Sequence, residues 1–485
     1  MPKSRETLWP GAAPARECDV EPLALTAGDF AAAAGGQIVK GDADTAIAGV
    51  SIDSRTLKPR DLFVAIRGDR FDGHRFVEGA VDRGAVGAVV AAPIDATSSR
   101  ASVLIRVDDT TRALQLVARD VRRRSQARVV AITGSAGKTT TKEITAEFLA
   151  VKYRVFRNKG NLNNQIGLPL SLLELRARPD VAVVELGMNH PGEIRTLVEI
   201  AEPEYRVWTN VGDAHMGFFE SADAIADAKA EVLEHSRTTD VVVANANDDR
   251  VMSRVKAFAG RVVTFGIDTA ADVRATGIEL RGLDGTRAHI RTRQGETDLA
   301  TPLLGLGNLM NVLAATATAL DFGVSLEAIT ARVSQLAPAT HRGELLRLPG
   351  GITLVDDSYN SSPTALRRAL EVVGTAGGCA RKVAVLGEML ELGAHAKRLH
   401  AESGQAVAEA RIDILIAVGG APARVLADAA IEHGLDRRNV SHVATKQEAA
   451  ELAAARVRAG DLVLVKGSRG IGTDLVVERL KAAFA

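Results

Sequence analysis

The chain has 485 residues, of which 46% are hydrophobic and 25% charged, with 60 basic residues set against 60 acidic ones. That length exceeds a single core and predicts about three domains. The balanced charge removes the basic footprint expected of a nucleic-acid or membrane-surface binder and directs attention to small-molecule partners.

Two cysteines, Cys18 and Cys379, stand far apart without metal-ligand spacing. A disulfide framework is not indicated, and a reducing cytoplasm fits. The leading MPKSRETLWPGAAPARE lacks the apolar core of a signal peptide, and no later run is long enough to span a bilayer. Residues 1–23 are expected to form a flexible tail. From 24 to 125, short apolar strands (VSID, LFVAI, AVVAA, VLIRV) alternate with Gly-rich turns and predict a small α/β domain. Its last segment, TTRALQLVARDVRRRS, has apolar residues at helical spacing and ends in arginines, read as a solvated helix end with cations near its carboxyl terminus.

From 126 to 341 the strands VVAIT, VAVVELG, YRVWTNVG and VVVANAND are separated by helix-length segments, the rhythm of a parallel sheet covered on both faces. IELRGLDGTRAHIRTR alternates like an antiparallel insert with an Asp-Gly turn. From 342 to 485, ITLVDDSYN, VAVLGEM, ILIAVGG, VSHVA and LVLVKGSRG supply a second open sheet. The fold class is α/β in three domains: a small N-terminal α/β domain, a central parallel sheet covered by helices, and a C-terminal Rossmann-like sheet. A dinucleotide site in the last domain is rejected, because GSRGIG has the wrong glycine spacing and no acidic residue follows at the required distance.

The strongest chemical signal is VVAIT followed by GSAGKTTTKEITAEFL, a strand, a glycine turn and a helix. Gly134, Ser135, Ala136, Gly137, Lys138, Thr139 and Thr140 would cradle phosphates: backbone N–H groups face the anion, Lys138 reaches the outer phosphates and Thr139 joins a magnesium shell. The full pattern would place a glycine where this chain has Ile132. Two other central strands finish in polar groups, Glu185 at the end of one and His215 just past the end of another, and ligands in open α/β sheets lie outside those ends. Helix capping and structural hydrogen bonding compete for each singly; their shared rim favours a magnesium site.

In SADAIADAKAEVLEH, Ile225, Lys229, Val232 and Leu233 share one helical stripe. A lysine there either snorkels to water or loses its proton and takes up carbon dioxide as a carbamate, and the stretch alone favours snorkelling. NKGNLNNQIG places four asparagines near the phosphate turn, Asn163 and Asn164 among them, with turn chemistry and ligand contact equally supported. Ser362 and Pro363 read as a helix start, and Asp357 before them suits either capping or a ribose hydroxyl. Arg342 lies at the junction of the last two domains, where a surface role competes with charge stabilisation at a terminal phosphate. Lys466 and Arg469 offer cations for a carboxylate, Arg469 better by its bidentate geometry, and Glu388 suits an ammonium.

TGSAGKTT, NKGNLNNQIG, ELGMNHPGEI, TNVGDAHMGFF and the AKAE lysine occur together in the order seen in the Mur ligase family, which this chain resembles. That family carries the shortened phosphate loop. The resemblance implies an ATP-dependent amide ligase of peptidoglycan precursor synthesis. Lys138 and Thr139 would handle the triphosphate and Mg2+, Glu185 and His215 would bind the metal, and Lys229 would be its carbamylated ligand. VDDSYNSSPTAL, LGEMLELG and LVKGSRG resemble the branch that joins D-alanyl-D-alanine (D-Ala-D-Ala) to a UDP-MurNAc-tripeptide, and no Asn-Pro-Arg motif of the diaminopimelate- or lysine-adding branch occurs.

SIDSRTLKPRDLFVAIRGDRFDGHRF resembles the nucleotide-sugar domain, which implies Ser54, Arg55, Asp72, Gly73 and His74 as substrate contacts, with Tyr359 and Asn360 added from the last domain. Asn308 and Asn311 are implied at the adenine. The family's usual histidine before the first of these is Gly307 here, and the residues after KGSRG also depart from the pattern. The readings left in competition are another amide ligase of this type, including a folylpolyglutamate synthase-like enzyme, and a P-loop switch protein. A monomer acting on small molecules, with no nucleic acid and no membrane insertion, is expected.

Overall fold

A computed structural model describes residues 21–68, 71–91, 97, 99–213 and 216–485, over which all elements are counted. Three sheets follow one another along the chain.

The first sheet has five strands. Gly49–Ser51, Asp61–Val64, Gly87–Val90 and Val103–Arg106 run parallel, and Gln37–Lys40 closes one edge antiparallel. The alternating apolar residues of these short strands feed two cores, one on each face.

The second sheet has nine strands. Seven are parallel, running from the edge strand Val155–Arg157 through Val181–Glu185, Arg128–Thr133, Tyr205–Trp208, Val241–Asn245 and Arg261–Ile267 to Val273–Leu280. Thr286–Thr292 and Gly295–Thr301 then extend it antiparallel, so the expected insert continues the central sheet rather than standing apart. Its Asp-Gly turn is at Asp284–Gly285, with Gly285 at φ 94°. The third sheet has five parallel strands in the order Ile352–Asp357, Leu462–Lys466, Lys382–Gly387, Ile414–Val418, Val440–Val443, with Glu344–Leu348 antiparallel at its edge.

One apolar cluster runs without a break from Leu25 and Phe30 in the first domain to Trp208 and Val251 in the second. The helix Thr110–Ser125 lies in this joint, and of its arginine run only Arg123 is exposed. Arg122 is buried; its Nε donates to Ala201 O at 2.7 Å, and its Nη2 donates to Glu202 O at 2.7 Å and to Glu204 Oε1 at 2.5 Å. These acceptors follow the helix Glu193–Ala201, whose last carbonyls lack intrahelical partners, so the guanidinium both caps that end and complements its dipole. Arg119 and Arg123 also bind Glu202. Of the tail expected over 1–23, residues 21–23 are described, and Leu23 is pinned: its N–H donates to Arg176 O, and Arg176 Nε donates to Leu23 O.

Arg122→Ala strands Glu204 and two carbonyls at this joint. It is expected to cost about 2–3 kcal/mol in urea unfolding followed by the fluorescence of buried Trp208, against under about 1 kcal/mol for the exposed Arg123→Ala.

Candidate functional site

The phosphate turn begins where the strand Arg128–Thr133 leaves the sheet. Ile132 is fully buried in that strand, in register with Glu185 and Val207 on its two neighbours. A residue in that place serves the core, and the turn therefore starts two residues later, at Gly134. Gly137 sits at φ 82°, and a Cβ there would collide with the Asn311 carboxamide; one on Gly134 would collide with the Thr209 hydroxyl. Both positions require glycine sterically. The turn is braced from below: Ser135 N donates to Asn210 O, Ala136 N to Asn210 Oδ1 at 2.9 Å, and Thr209 Oγ1 to Ala136 O at 2.8 Å. The helix Lys138–Leu149 follows with no side-chain cap, which leaves its first N–H groups for an anion.

Glu185, 3% exposed, ends the strand Val181–Glu185 beside this helix. Thr139 Oγ1 donates to its Oε2 at 2.6 Å, and Asn163 Nδ2 donates to its Oε1 at 2.7 Å. Burial alone would raise its pKa, but the Lys138 cation, the Thr139 hydroxyl, Arg342 and Lys142 outweigh burial and hold the carboxyl below its usual range. Lys138 Nζ donates to Gly134 O at 2.8 Å; burial lowers its pKa, with Glu185 opposing.

Lys229, on the helix Ala222–Ala230 that Ser221 caps, is 1% exposed and does not snorkel. Burial first, then the Lys138 cation, push its amine well below the ordinary 10.5, against the smaller pull of Glu185. His215 lies outside the described residues.

Asn158, which the sequence reading passed over within its own asparagine-rich stretch, organises that loop. It is 1% exposed; its Oδ1 accepts from Glu185 N at 3.1 Å, its Nδ2 donates to Leu162 O, and its own carbonyl accepts from the fully buried Lys142 at 2.5 Å. Asn163 thereby faces Glu185. Asn164 faces the cleft but spends its Oδ1 on Ile166 N and Gly167 N, at the entry of the helix Gly167–Leu172.

A cleft of about 810 Å³ opens from the phosphate turn toward the third domain. Asn311 accepts from Thr141 Oγ1 behind the turn, and Asn308 follows one turn earlier on the helix Gly305–Asp321. Across the cleft, Lys466 Nζ donates to Asp357 Oδ2 at 2.5 Å and to Asn360 O at 3.0 Å, so this lysine is already paired. The Tyr359 ring carries two guanidinium groups, Arg342 Cζ at 4.0 Å and Arg469 Cζ at 5.0 Å from its centre, a cation–π arrangement that draws the domain junction and the KGSRG loop to one point. Ser362 caps the helix Pro363–Thr375 as expected, while Ser361, not singled out from sequence, lines the cleft with a buried Oγ that has no partner among the described residues. Glu388 does not line the cleft; its Oε2 accepts from Gly420 N at 2.7 Å, at the start of the helix Ala421–Glu432.

The first-domain candidates lie apart from this cleft. Arg55 pairs in bidentate fashion with Asp53 next to Ser54, at 2.9 and 2.8 Å. His74 Nε2 accepts from Ala91 N, so its proton is on Nδ1 and is donated to Asp72 Oδ1 at 2.6 Å. A Cβ on Gly73 would press on Ile66 O at 2.7 Å.

Phosphate turn, buried carboxylate and depressed lysine define a nucleotide-dependent enzyme of the three-domain α/β class. Family models match all three domains: "Mur ligase family, catalytic domain" over 46–122, "Mur ligase middle domain" over 132–319 and "Mur ligase, glutamate ligase domain" over 341–469. The UDP-N-acetylmuramoyl-tripeptide--D-alanyl-D-alanine ligase of Bacillus subtilis is 34% identical over 90% of this chain and 93% of its own length. The crystal structure of MurF from Acinetobacter baumannii superposes with a TM-score of 0.86 at 33% identity, covering 96% of this chain and all of that one. MurF ligase from Thermotoga maritima, solved in complex with ADP, gives 0.79 at 27% identity over 90% and 97%. The chain belongs to the Mur ligase family.

A lysine whose pKa is depressed on folding costs stability fully below the depressed value, and that cost fades as pH rises to the ordinary 10.5. In bicarbonate-free buffer Lys229→Met is therefore expected to unfold at a higher temperature than the wild type at neutral pH. The gap should narrow as pH climbs; thermal melts across the alkaline range check it.

Proposed function

We propose that this enzyme joins D-Ala-D-Ala to UDP-MurNAc-tripeptide at the expense of ATP. The observation that carries the reading is a single cleft that joins the phosphate turn at Lys138 to the cationic strand end of the third domain at Lys466 and Arg469, with the first-domain cluster around Asp72 and His74 standing apart from it. The tripeptide carboxylate takes the γ-phosphoryl group of ATP, ADP departs, and the dipeptide amine displaces phosphate from the acyl phosphate to form the amide. Bringing a carboxylate to a triphosphate opposes two anions. Lys138 and Arg342 offset that charge on either side of the cleft, and fixed positioning supplies the rest, effective molarities reaching about 10⁵ M or more.

Mg2+ fits the donors present, since it prefers oxygen ligands and usually shares substrate phosphates rather than filling an all-protein cage. No cluster of three His, Cys, Asp or Glu exists among the described residues, but Glu185 is held ionised next to the Thr139 hydroxyl. Those two, His215 and a carbamate on Lys229 would hold the ion, which supplies charge neutralisation between the two anions. Burial lowers the pKa of the Lys229 amine, and a deprotonated amine is the form that takes up carbon dioxide. Because Lys466 is engaged with Asp357, the dipeptide carboxylate falls to exposed Arg469, whose planar fork binds it in bidentate fashion. Closure of the third domain over the second is the step that would keep water from the acyl phosphate. No helix among the described residues could cross a membrane; a cytoplasmic monomer is the reading that accompanies this chemistry.

Phosphate release should require ATP, UDP-MurNAc-tripeptide and D-Ala-D-Ala together. Release indifferent to the two acceptors would instead indicate a nucleotide switch. Lys138→Ala should abolish turnover with the fold intact by circular dichroism. Lys229→Ala should lose most activity and recover part of it with short-chain carboxylic acids; activity insensitive to the replacement would remove Lys229 from the site.

A further inference from the structure

The cleft continues past the phosphate turn along the first turns of the helix Gly305–Asp321, in the order Asn311, Asn308, Gly307. A triphosphate seated on Gly137 and Lys138 leads its nucleoside along this path, because Asn311 abuts the turn and Gly307 lies farther from it by one helical turn. The floor there is apolar: Leu280 and Leu306 line the cleft and remain 46% and 40% exposed. Gly307 brings no side chain to the wall. Arg368, from the facing helix Pro363–Thr375, covers it, and a Cβ on Gly307 would stand 3.1 Å from Arg368 Cδ and 3.3 Å from Arg368 Nη1.

Arg368 is half-buried and lines the cleft, yet among the described residues it makes no hydrogen bond and no contact ion pair, only a longer-range attraction to Glu371 one turn on that burial outweighs. A guanidinium removed from water without a partner is unfavourable unless a ligand supplies one. Its planar, weakly hydrated face is suited to stacking on an aromatic ring.

We propose that Arg368 is the side chain that grips the nucleobase of the bound nucleotide, stacking the face of its guanidinium on the ring above the Leu280–Leu306 floor, with the absence of a side chain at Gly307 making the room. The proposal rests on the reading of this cleft as the ATP site and adds to it the residue that recognises the base. A phosphate contact would place the guanidinium near the turn, where Lys138 and Arg342 already stand. Stacking over an apolar floor accounts for its position at the other end.

The test uses the full-length enzyme in the ligation assay. Arg368→Ala is expected to raise the KM for ATP about tenfold, the scale of a desolvated cation–π contact. The KM values of both other substrates should stay within about twofold. Competitive inhibition by inorganic tripolyphosphate, which has no base, should not change. Arg368→Lys should resemble Arg368→Ala, since an ammonium cannot stack as a plane does. Gly307→Ala should weaken ATP by displacing Arg368, and should do nothing further in the Arg368→Ala background. An unchanged KM for ATP, an equal loss for ATP and tripolyphosphate, or full function in Arg368→Lys overturns the proposal. A wild type that never ligates overturns the functional reading itself; a ligating wild type with an indifferent Arg368 overturns this inference alone.

Discussion

A carboxylate buried at the tip of a central strand is the constraint around which the cleft is built. Glu185 cannot be ionised there alone, since an unpaired buried carboxylate is far too costly. Its charge is met by Lys138, its two oxygens by Thr139 and Asn163, and its backbone N–H by Asn158. The partners come from two separate segments, so satisfying one carboxylate fixes the phosphate helix and the asparagine loop together. The same constraint explains the second lysine. Lys138 and Lys229 face the same carboxylate, and at Lys229 burial and the Lys138 cation together outweigh its pull and lower the pKa of the amine. Two identical side chains sharing one carboxylate are thus set apart, burial lowering the pKa of both amines and that of Lys229 well below its ordinary value.

Much of this was legible in the sequence because it is local. Strand, glycine turn and helix at 128–149 are contiguous, and the stripe of Ile225, Lys229 and Val232 follows from helical periodicity, although periodicity could not say whether the lysine end reaches water. What could not be read depends on distant partners. The arginine run at 122–124 looks like any solvated helix end until Ala201 and Glu204, about eighty positions on, are placed against it. Asn158 was indistinguishable from its turn-forming neighbours because its role is to meet the backbone of Glu185. The edge strands Gln37–Lys40, Val155–Arg157 and Glu344–Leu348 escaped notice because they are short and only partly buried, so the apolar alternation that marks an inner strand is weak. Arg261–Ile267 was missed although it is internal, since glycines flank its apolar run and read as turns.

The two joints of the molecule differ in kind, and the difference bears on how the site works. The first and second domains share an unbroken apolar core reinforced by Arg122, and separating them would expose that core to water. The third domain has its own cores on both faces of its sheet. It meets the second through polar and glycine contacts and one apolar one: Gly217 N donates to Glu391 O at 2.7 Å, Thr364 Oγ1 to Asp213 Oδ2 at 3.4 Å, Gly305 and Gly282 let the helix Pro363–Thr375 approach, with Val372 and Ala376 against them, and Leu283 packs on the third-domain core. An interface of that composition resembles a transient one, which opens at little cost. The first-domain cluster around Asp72 and His74 and the phosphate turn therefore stand on domains joined by one core. Arg469 and Tyr359 ride on the third domain, while Arg342 stands at the hinge between them. Motion at the second joint would change the distance between the third-domain cations and the phosphate turn while leaving the turn itself undisturbed, which is the separation of tasks that a water-sensitive acyl phosphate demands.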